Sequence, residues 1–147
     1  MTQYKVKDLM VPNPEVISQN HSLKDAAMAM ARIDCGIMPV GTPEKLVGMI
    51  TDRDIALRAV AKGKDPAKTK ISEIMTNNVY SVAEDTPLDQ AAEIIKKQRV
   101  NRLVVKDSKG KLTGILSLTG LLREAADKHA VAEFVRQLAA KSQPKAA

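Results

Sequence analysis

The sequence predicts an α/β chain of the α+β kind: two β-α-β-β-α repeats packed with pseudo-twofold symmetry. Three observations lead there. The chain repeats itself at a spacing of 65 residues, segments of helical period alternate with short apolar runs, and aromatic residues are almost absent. The spacing carries most weight, because an internal repeat sets the fold unit before any element is assigned. Val6, Asp8, Leu9 and Met10 return as Ile71, Glu73, Ile74 and Met75. Asn13 returns as Asn78, Ile17 as Val82, and Val40 as Val105. One inserted residue then shifts the spacing to 66, so that Gly48-Met49-Ile50-Thr51 becomes Gly114-Ile115-Leu116-Ser117.

Each repeat reads in the same order. A short apolar turn (6–10) leads into a loop rich in Pro and Asn, then into a brief strand at 15–18, or at 79–82 in the second copy. An amphipathic helix follows, with apolar residues at i, i+3, i+4 and i+7. These are Leu23, Ala26, Ala27 and Met30, then Leu88, Ala91, Ala92 and Ile95. Thr86 as N-cap, Pro87 at the first helical position and Asp89 two residues on mark the second of these helix starts. Two strands joined by a polar turn come next, 37–40 with 46–50 and 103–105 with 112–116. A second helix closes each repeat, at 52–61 and 118–127. The resulting division is 1–65 for the first repeat, 66–128 for the second, and 129–147 for a helical extension and frayed tail. With three aromatic residues, Tyr4, Tyr80 and Phe134, a unit of this size has a marginal aliphatic core. Two units packed together would cover the missing face and leave a cleft for a ligand.

Composition excludes several classes. A single cysteine, Cys35, permits neither an intramolecular disulfide nor a CxxC motif, and it fits a reducing cytoplasm. No run approaches the length of a membrane-spanning helix. The net charge of +6 is spread along the chain: 9 basic and 8 acidic residues in 1–65, 9 and 6 in 66–122, 5 and 3 in 123–147. Nucleic-acid binding wants a concentrated basic footprint and stacking aromatics, and neither is present. There is no nucleophile–base set, no paired carboxylates and no metal-ligand cluster, so an enzyme is not expected. His21 and His129 have no metal partner at useful spacing.

The repeat, the stretch Gly36-Ile37-Met38-Pro39-Val40 and the run Gly48-Met49-Ile50-Thr51-Asp52-Arg53-Asp54 together resemble a tandem cystathionine-β-synthase (CBS) domain pair, or Bateman module. The resemblance covers residues 5 to about 125, and the chain is similar to the small stand-alone bacterial members. It implies a regulatory module that binds AMP, ADP, ATP or related adenosyl ligands, forms homodimers and signals to a regulated protein not named by the sequence. By the family pattern, Met10, Asn13 and Glu15 would line an adenine slot with Met38 and Pro39 opposite. Arg102, which stands where the first copy has Ile37, would point at the phosphate bound by the partner copy. Arg53, next to the motif, could reach a phosphate as well. Homodimerisation would use apolar helix positions such as Ile55, Leu121 and Leu122.

The motif also makes physical sense residue by residue. Gly48, without a Cβ, would let a ligand approach the strand backbone. Thr51 stands where a helix begins and offers a hydroxyl. Asp54, one turn on, offers two carboxylate oxygens that suit the vicinal hydroxyls of a ribose. The same Thr-x-x-Asp spacing is also a helix-capping signature, and the residues alone leave both roles open. The second copy keeps the cap at Ser117 but has Gly120 in place of the acid, so the two sites have diverged. One strong site per chain is expected: ribose to Asp54, phosphate to Thr51 and Arg102. A ligand-free dimeric interaction module is the alternative.

Overall fold

In the computed structural model, which describes residues 4–117 and 128–140, each repeat folds around one antiparallel hairpin. In chain order the elements are α1 (Val6–Leu9), β1 (Val11–Pro12), α2 (Leu23–Ile33), β2 (Ile37–Gly41), β3 (Leu46–Thr51), α3 (Asp52–Arg58), β4 (Ser81–Ala83), α4 (Leu88–Gln98), β5 (Arg102–Lys106), β6 (Leu112–Ser117) and α5 (Lys128–Ala139). Single 3-10 turns occupy Val60–Lys62 and Ile71–Glu73. The hairpins β2–β3 and β5–β6 share one register. Ile37 faces Thr51 and Arg102 faces Ser117, and a bulge falls at Val40/Gly41 and at Val105/Lys106. Both hairpins carry the bulge, so the inserted residue lies in the turn between the strands, 42–45 in the first and 107–111 in the second.

The chain forms two units, and they are not the two repeats. One is continuous, Pro14–Val79. The other is split: residues up to Asn13 join those from Tyr80 onward. The leader of each repeat has therefore changed places with the other. In the split unit β1 pairs antiparallel with β6, giving the sheet order β1-β6-β5-β4, with β4 parallel to β5. In the continuous unit the equivalent of β1 is Thr76, which bridges antiparallel to Met49 in β3. The equivalent of β4 is Ile17, which bridges parallel to Val40. The brief strand expected at 15–18 thus narrows to a single bridge. The helix starts obey the same exchange. Lys70 bridges to Ser22 before α2, and Lys5 bridges to Pro87 before α4.

Capping differs between those two helices. Ser22 forms a capping box with Asp25, accepting from the Asp25 N–H at 3.1 Å. Before α4 the N-cap is Pro87, which has no side chain able to cap. Thr86 is a residue too early for the role expected of it. The Leu88 N–H is satisfied by the leader instead, donating to the Tyr4 carbonyl at 3.0 Å. In α3 the helix stops at Arg58, shorter than expected. The chain tightens into the 3-10 turn and leaves through Gly63, whose φ of 69° is the left-handed conformation glycine adopts most readily.

Both cores are aliphatic, with one aromatic between them. The continuous unit buries Leu23, Ala26, Met30, Met38, Val40, Ile50, Ala59, Ile71 and Ile74, with Ile55 packed partly buried against them. Leu121 and Leu122 lie outside the described residues. The split unit buries Val6, Leu9, Leu88, Ala91, Ala92, Ile95, Leu103, Val105 and Leu116 together with Ala130 and Phe134 of α5. α5 is therefore a core element of the split unit. The Lys96 ammonium donates to the Gln137 carbonyl near the end of α5 at 3.3 Å. The helix expected at 118–127, with Gly120, and the tail 141–147 lie outside the described residues.

Candidate functional site

Thr51 closes β3 and caps α3, and this fixes the geometry around Asp54. The Asp54 N–H donates to Thr51 Oγ1 at 3.0 Å, and the Thr51 N–H donates back to Asp54 Oδ2 at 3.1 Å. The pair is a complete capping box. Both residues are nearly enclosed, Thr51 with 5% and Asp54 with 8% of its surface exposed. A carboxylate at that depth needs partners. Besides the Thr51 N–H, the Thr76 hydroxyl lies 3.4 Å from both oxygens, and Arg58 Nη1 stands 3.7 Å from Oδ1.

Arg58 does more than face Asp54. Its Nη1 donates to the Ile74 carbonyl at 3.0 Å and lies 3.4 Å from both the Met75 carbonyl and Thr76 Oγ1. Sequence reasoning missed Arg58, Met75 and Thr76. The i,i+4 spacing from Asp54 to Arg58 was visible; the carbonyls of 74 and 75 come from the other repeat's leader.

The exchanged leader also explains Gly48. A Cβ there would stand 2.7 Å from the Thr76 carbonyl oxygen and 2.9 Å from Met75 Sδ. The glycine admits the leader, so the expectation that it opens the strand to a ligand gives way to a packing reason. Gly114 has the same role in the split unit, where its Cβ would meet Met10 Sδ at 2.5 Å.

The remaining site residues divide between the units. Met38 and Pro39 belong to the continuous unit and are buried, and Met38, 1% exposed, is part of its core. Glu15 is exposed and paired with Arg32. Arg53 is exposed, and its guanidinium has no ion pair among the described residues. Met10, Asn13 and Arg102 belong to the split unit. Met10 lies against Gly114, and Asn13, in the left-handed conformation at φ 51°, donates its N–H to the Thr113 carbonyl at 3.0 Å. Met10 and Asn13 thus belong to a different unit from Thr51 and Asp54, whereas their repeat equivalents from the second leader, Met75 and Asn78, share the unit of that pair. Arg102 opens β5, and its Nε is buried without a hydrogen-bond partner. Among the described residues no group of three or more His, Cys, Asp or Glu could hold a metal ion. None of the described helices is long and apolar enough to cross a membrane. Cys35 is half-buried, its Sγ 3.5 Å from the Ile37 carbonyl.

Two matched hairpins, two exchanged leaders and a threonine-capped aspartate define a tandem-repeat module, and the chain belongs to the CBS domain family, whose model matches residues 6–60 and 71–127. It is 35% identical over 116 residues to the CBS domain-containing protein YhcV of Bacillus subtilis (strain 168), covering 79% of this chain and 81% of that protein. Among solved structures it is similar to the CBS domain pair of protein MJ0100 in complex with 5′-methylthioadenosine and S-adenosyl-L-methionine. There the identity is 32% and the TM-score 0.70, over 82% of this chain and 94% of that one. It is also similar to CBSX2 in complex with AMP, with 29% identity and a TM-score of 0.64 over 82% and 94% of the two chains.

Proposed function

We propose that this protein is a regulatory module of the cytoplasm that senses an adenine nucleotide, AMP, ADP or ATP, as a homodimer and passes the ligand's presence to a regulated protein. The observation that carries the reading is the enclosed Asp54 carboxylate beside Thr51, in a chain similar over most of its length to CBS pairs named as complexes with AMP and with adenosyl ligands. Asp54 is assigned the ribose hydroxyls, because its two longest-range partners, at 3.4 and 3.7 Å, leave acceptor capacity for a diol. Arg102 supplies the second support. A buried guanidinium N–H without an acceptor costs about 1–3 kcal/mol, which an anionic partner would recover. The role of Arg53 is that of an accessory cation.

One strong site per chain follows from the sequence, since Gly120 stands where the second repeat would need its acid. Calorimetric titration with AMP, ADP, ATP, NAD and S-adenosylmethionine tests the reading. One adenine ligand bound per chain supports it, and Asp54→Ala then weakens affinity by about 1.5–3 kcal/mol. Loss of AMP affinity in Arg102→Ala, with adenosine unchanged, assigns the phosphate to Arg102. The second reading, a ligand-free interaction module, is favoured by the finished capping box, which gives Thr51 and Asp54 a structural role already. No binding by any of the five ligands selects it.

A further inference from the structure

We infer that Arg58 and Thr76 make the 74–76 segment the reporter of the Asp54 site, an inference that rests on the ligand reading above. The segment is fastened at one end by backbone. The Met49 N–H donates to the Thr76 carbonyl at 2.9 Å and the Thr76 N–H to the Met49 carbonyl at 2.8 Å. Beside that pair the Thr76 hydroxyl faces the Asp54 carboxylate, and at the other end the Ile74 and Met75 N–H groups donate to the Ile71 carbonyl while the Arg58 guanidinium joins Asp54 to the carbonyls of Ile74 and Met75. Four residues beyond Thr76 the chain enters the split unit at Tyr80.

Asp54 has two groups of partners that a ligand would treat differently. The Thr51 N–H is short and belongs to the helix cap, so a diol leaves it in place. The Thr76 hydroxyl and Arg58 are the long partners, and hydroxyl donors arriving at the carboxylate compete with these first. Ligand binding therefore loosens the hold of Asp54 on the 74–76 segment while α3 keeps its cap. Arg58 and Thr76 act through Asp54 and are positioning residues; neither is required to touch the ligand.

Amide hydrogen exchange on the full chain, with AMP as the probe, tests this. In the wild type, saturating AMP should speed exchange at Met75 and Thr76 about threefold or more, while Ile50 in the adjoining strand exchanges no faster. Arg58→Met and Thr76→Val should bind AMP within about threefold of the wild type and lose this response, while Arg58→Lys should restore part of it. AMP binding with unchanged exchange at 75 and 76 overturns the inference and leaves the ligand reading intact. A response that persists in both Arg58→Met and Thr76→Val overturns it too. Failure of AMP to bind the wild type overturns the ligand reading and this inference together.

Discussion

Ala27 and Ala92 occupy one position of one repeat, yet Ala27 is exposed and Ala92 is wholly buried. The local sequence does not separate them: both sit on the apolar stripe of an eleven-residue helix. Tertiary company does. α4 carries α5 across it, and the position equivalent to Glu93 of α4 is Met28 of α2, which keeps 61% of its surface exposed. The split unit is thus the one with additions. It takes in a C-terminal helix with the chain's only phenylalanine, and its leader is covalently distant from the rest. The continuous unit is smaller and self-contained, and it holds the capped aspartate. One repeat sequence has been driven to two uses by what packs on it.

The largest test of that contrast is removal of residues 1–13. The split unit would lose Val6 and Leu9 from its core, β1 from its sheet edge and the carbonyl that caps α4. Amides of Leu103–Val105 should lose most of their exchange protection while those of Val40 and Ile50 retain it. Equal loss in both units would break the comparison.

Next is a glutamate scan of the paired position. Ala92→Glu buries a carboxylate under α5 and should cost about 3 kcal/mol or more in urea unfolding. Ala27→Glu stays in solvent and should fall within about 0.5 kcal/mol of the wild type. Similar costs at both sites would mean that α2 is covered in solution.

The strand glycines give a finer version. Gly48→Ala would drive its Cβ to 2.7 Å from the Thr76 backbone oxygen, whereas the closest atom to a Cβ on Gly114 is the side-chain Sδ of Met10, with the Val11 backbone oxygen farther off at 3.0 Å. Gly48→Ala should cost about 2–3 kcal/mol and Gly114→Ala about 1 kcal/mol less, by thermal unfolding. The reverse order would show the first leader to be the more rigidly held.

The smallest expected effect is the pH dependence of one leader contact that only the split unit has. Lys7 and Asp85 pair at 2.9 Å, and their repeat equivalents, Ser72 and Asn20, carry no charge. The Lys7 hydrogen bond, then its charge, lowers the Asp85 pKa, and the same contact raises that of Lys7. Asp85 therefore contributes fully above the ordinary aspartate range and loses its contribution as pH falls through its lowered value. Lys7 contributes below the ordinary lysine range and loses its part as pH rises through its raised value. Acid titration should release the leader slightly earlier in wild type than continuous-unit core amides respond, and Asp85→Asn should flatten that part of the profile. Both groups are largely exposed, so added salt should shrink the effect.

Much of this fold is legible in the sequence because the repeat writes it twice. The hairpins, α2, α4 and the Thr51 cap all fall where period and spacing place them. The leader exchange is not legible, and the reason lies in the repeat itself. Met10 and Met75 are equivalent, as are Gly48 and Gly114, so either methionine suits either glycine. Local pattern cannot choose between such partners. The same degeneracy hid Arg58, whose carbonyl partners at 74 and 75 arrive only through the exchange. Met38 was ambiguous for a simpler reason: an apolar residue at the middle of a buried strand reads alike whether it faces a ligand or a core. Phe134, legible only as one aromatic in a tail helix, proved to be central to a core because α5 folds back onto α4.

The exchanged leader also sets an order of assembly during synthesis. The continuous unit's closing partners are near in sequence: Lys70 meets Ser22, and Thr76 meets Met49. Lys5 must wait for Pro87, and Val11 for Ile115, which lies 104 positions later (115 − 11). At about 5–20 residues per second, that leaves the first segment without its sheet for roughly 5–20 s on the ribosome. The central stretch can close while the opening segment still trails free, its Val6, Leu9 and Met10 uncovered. Residues 5–12 are thus made early and find their place late.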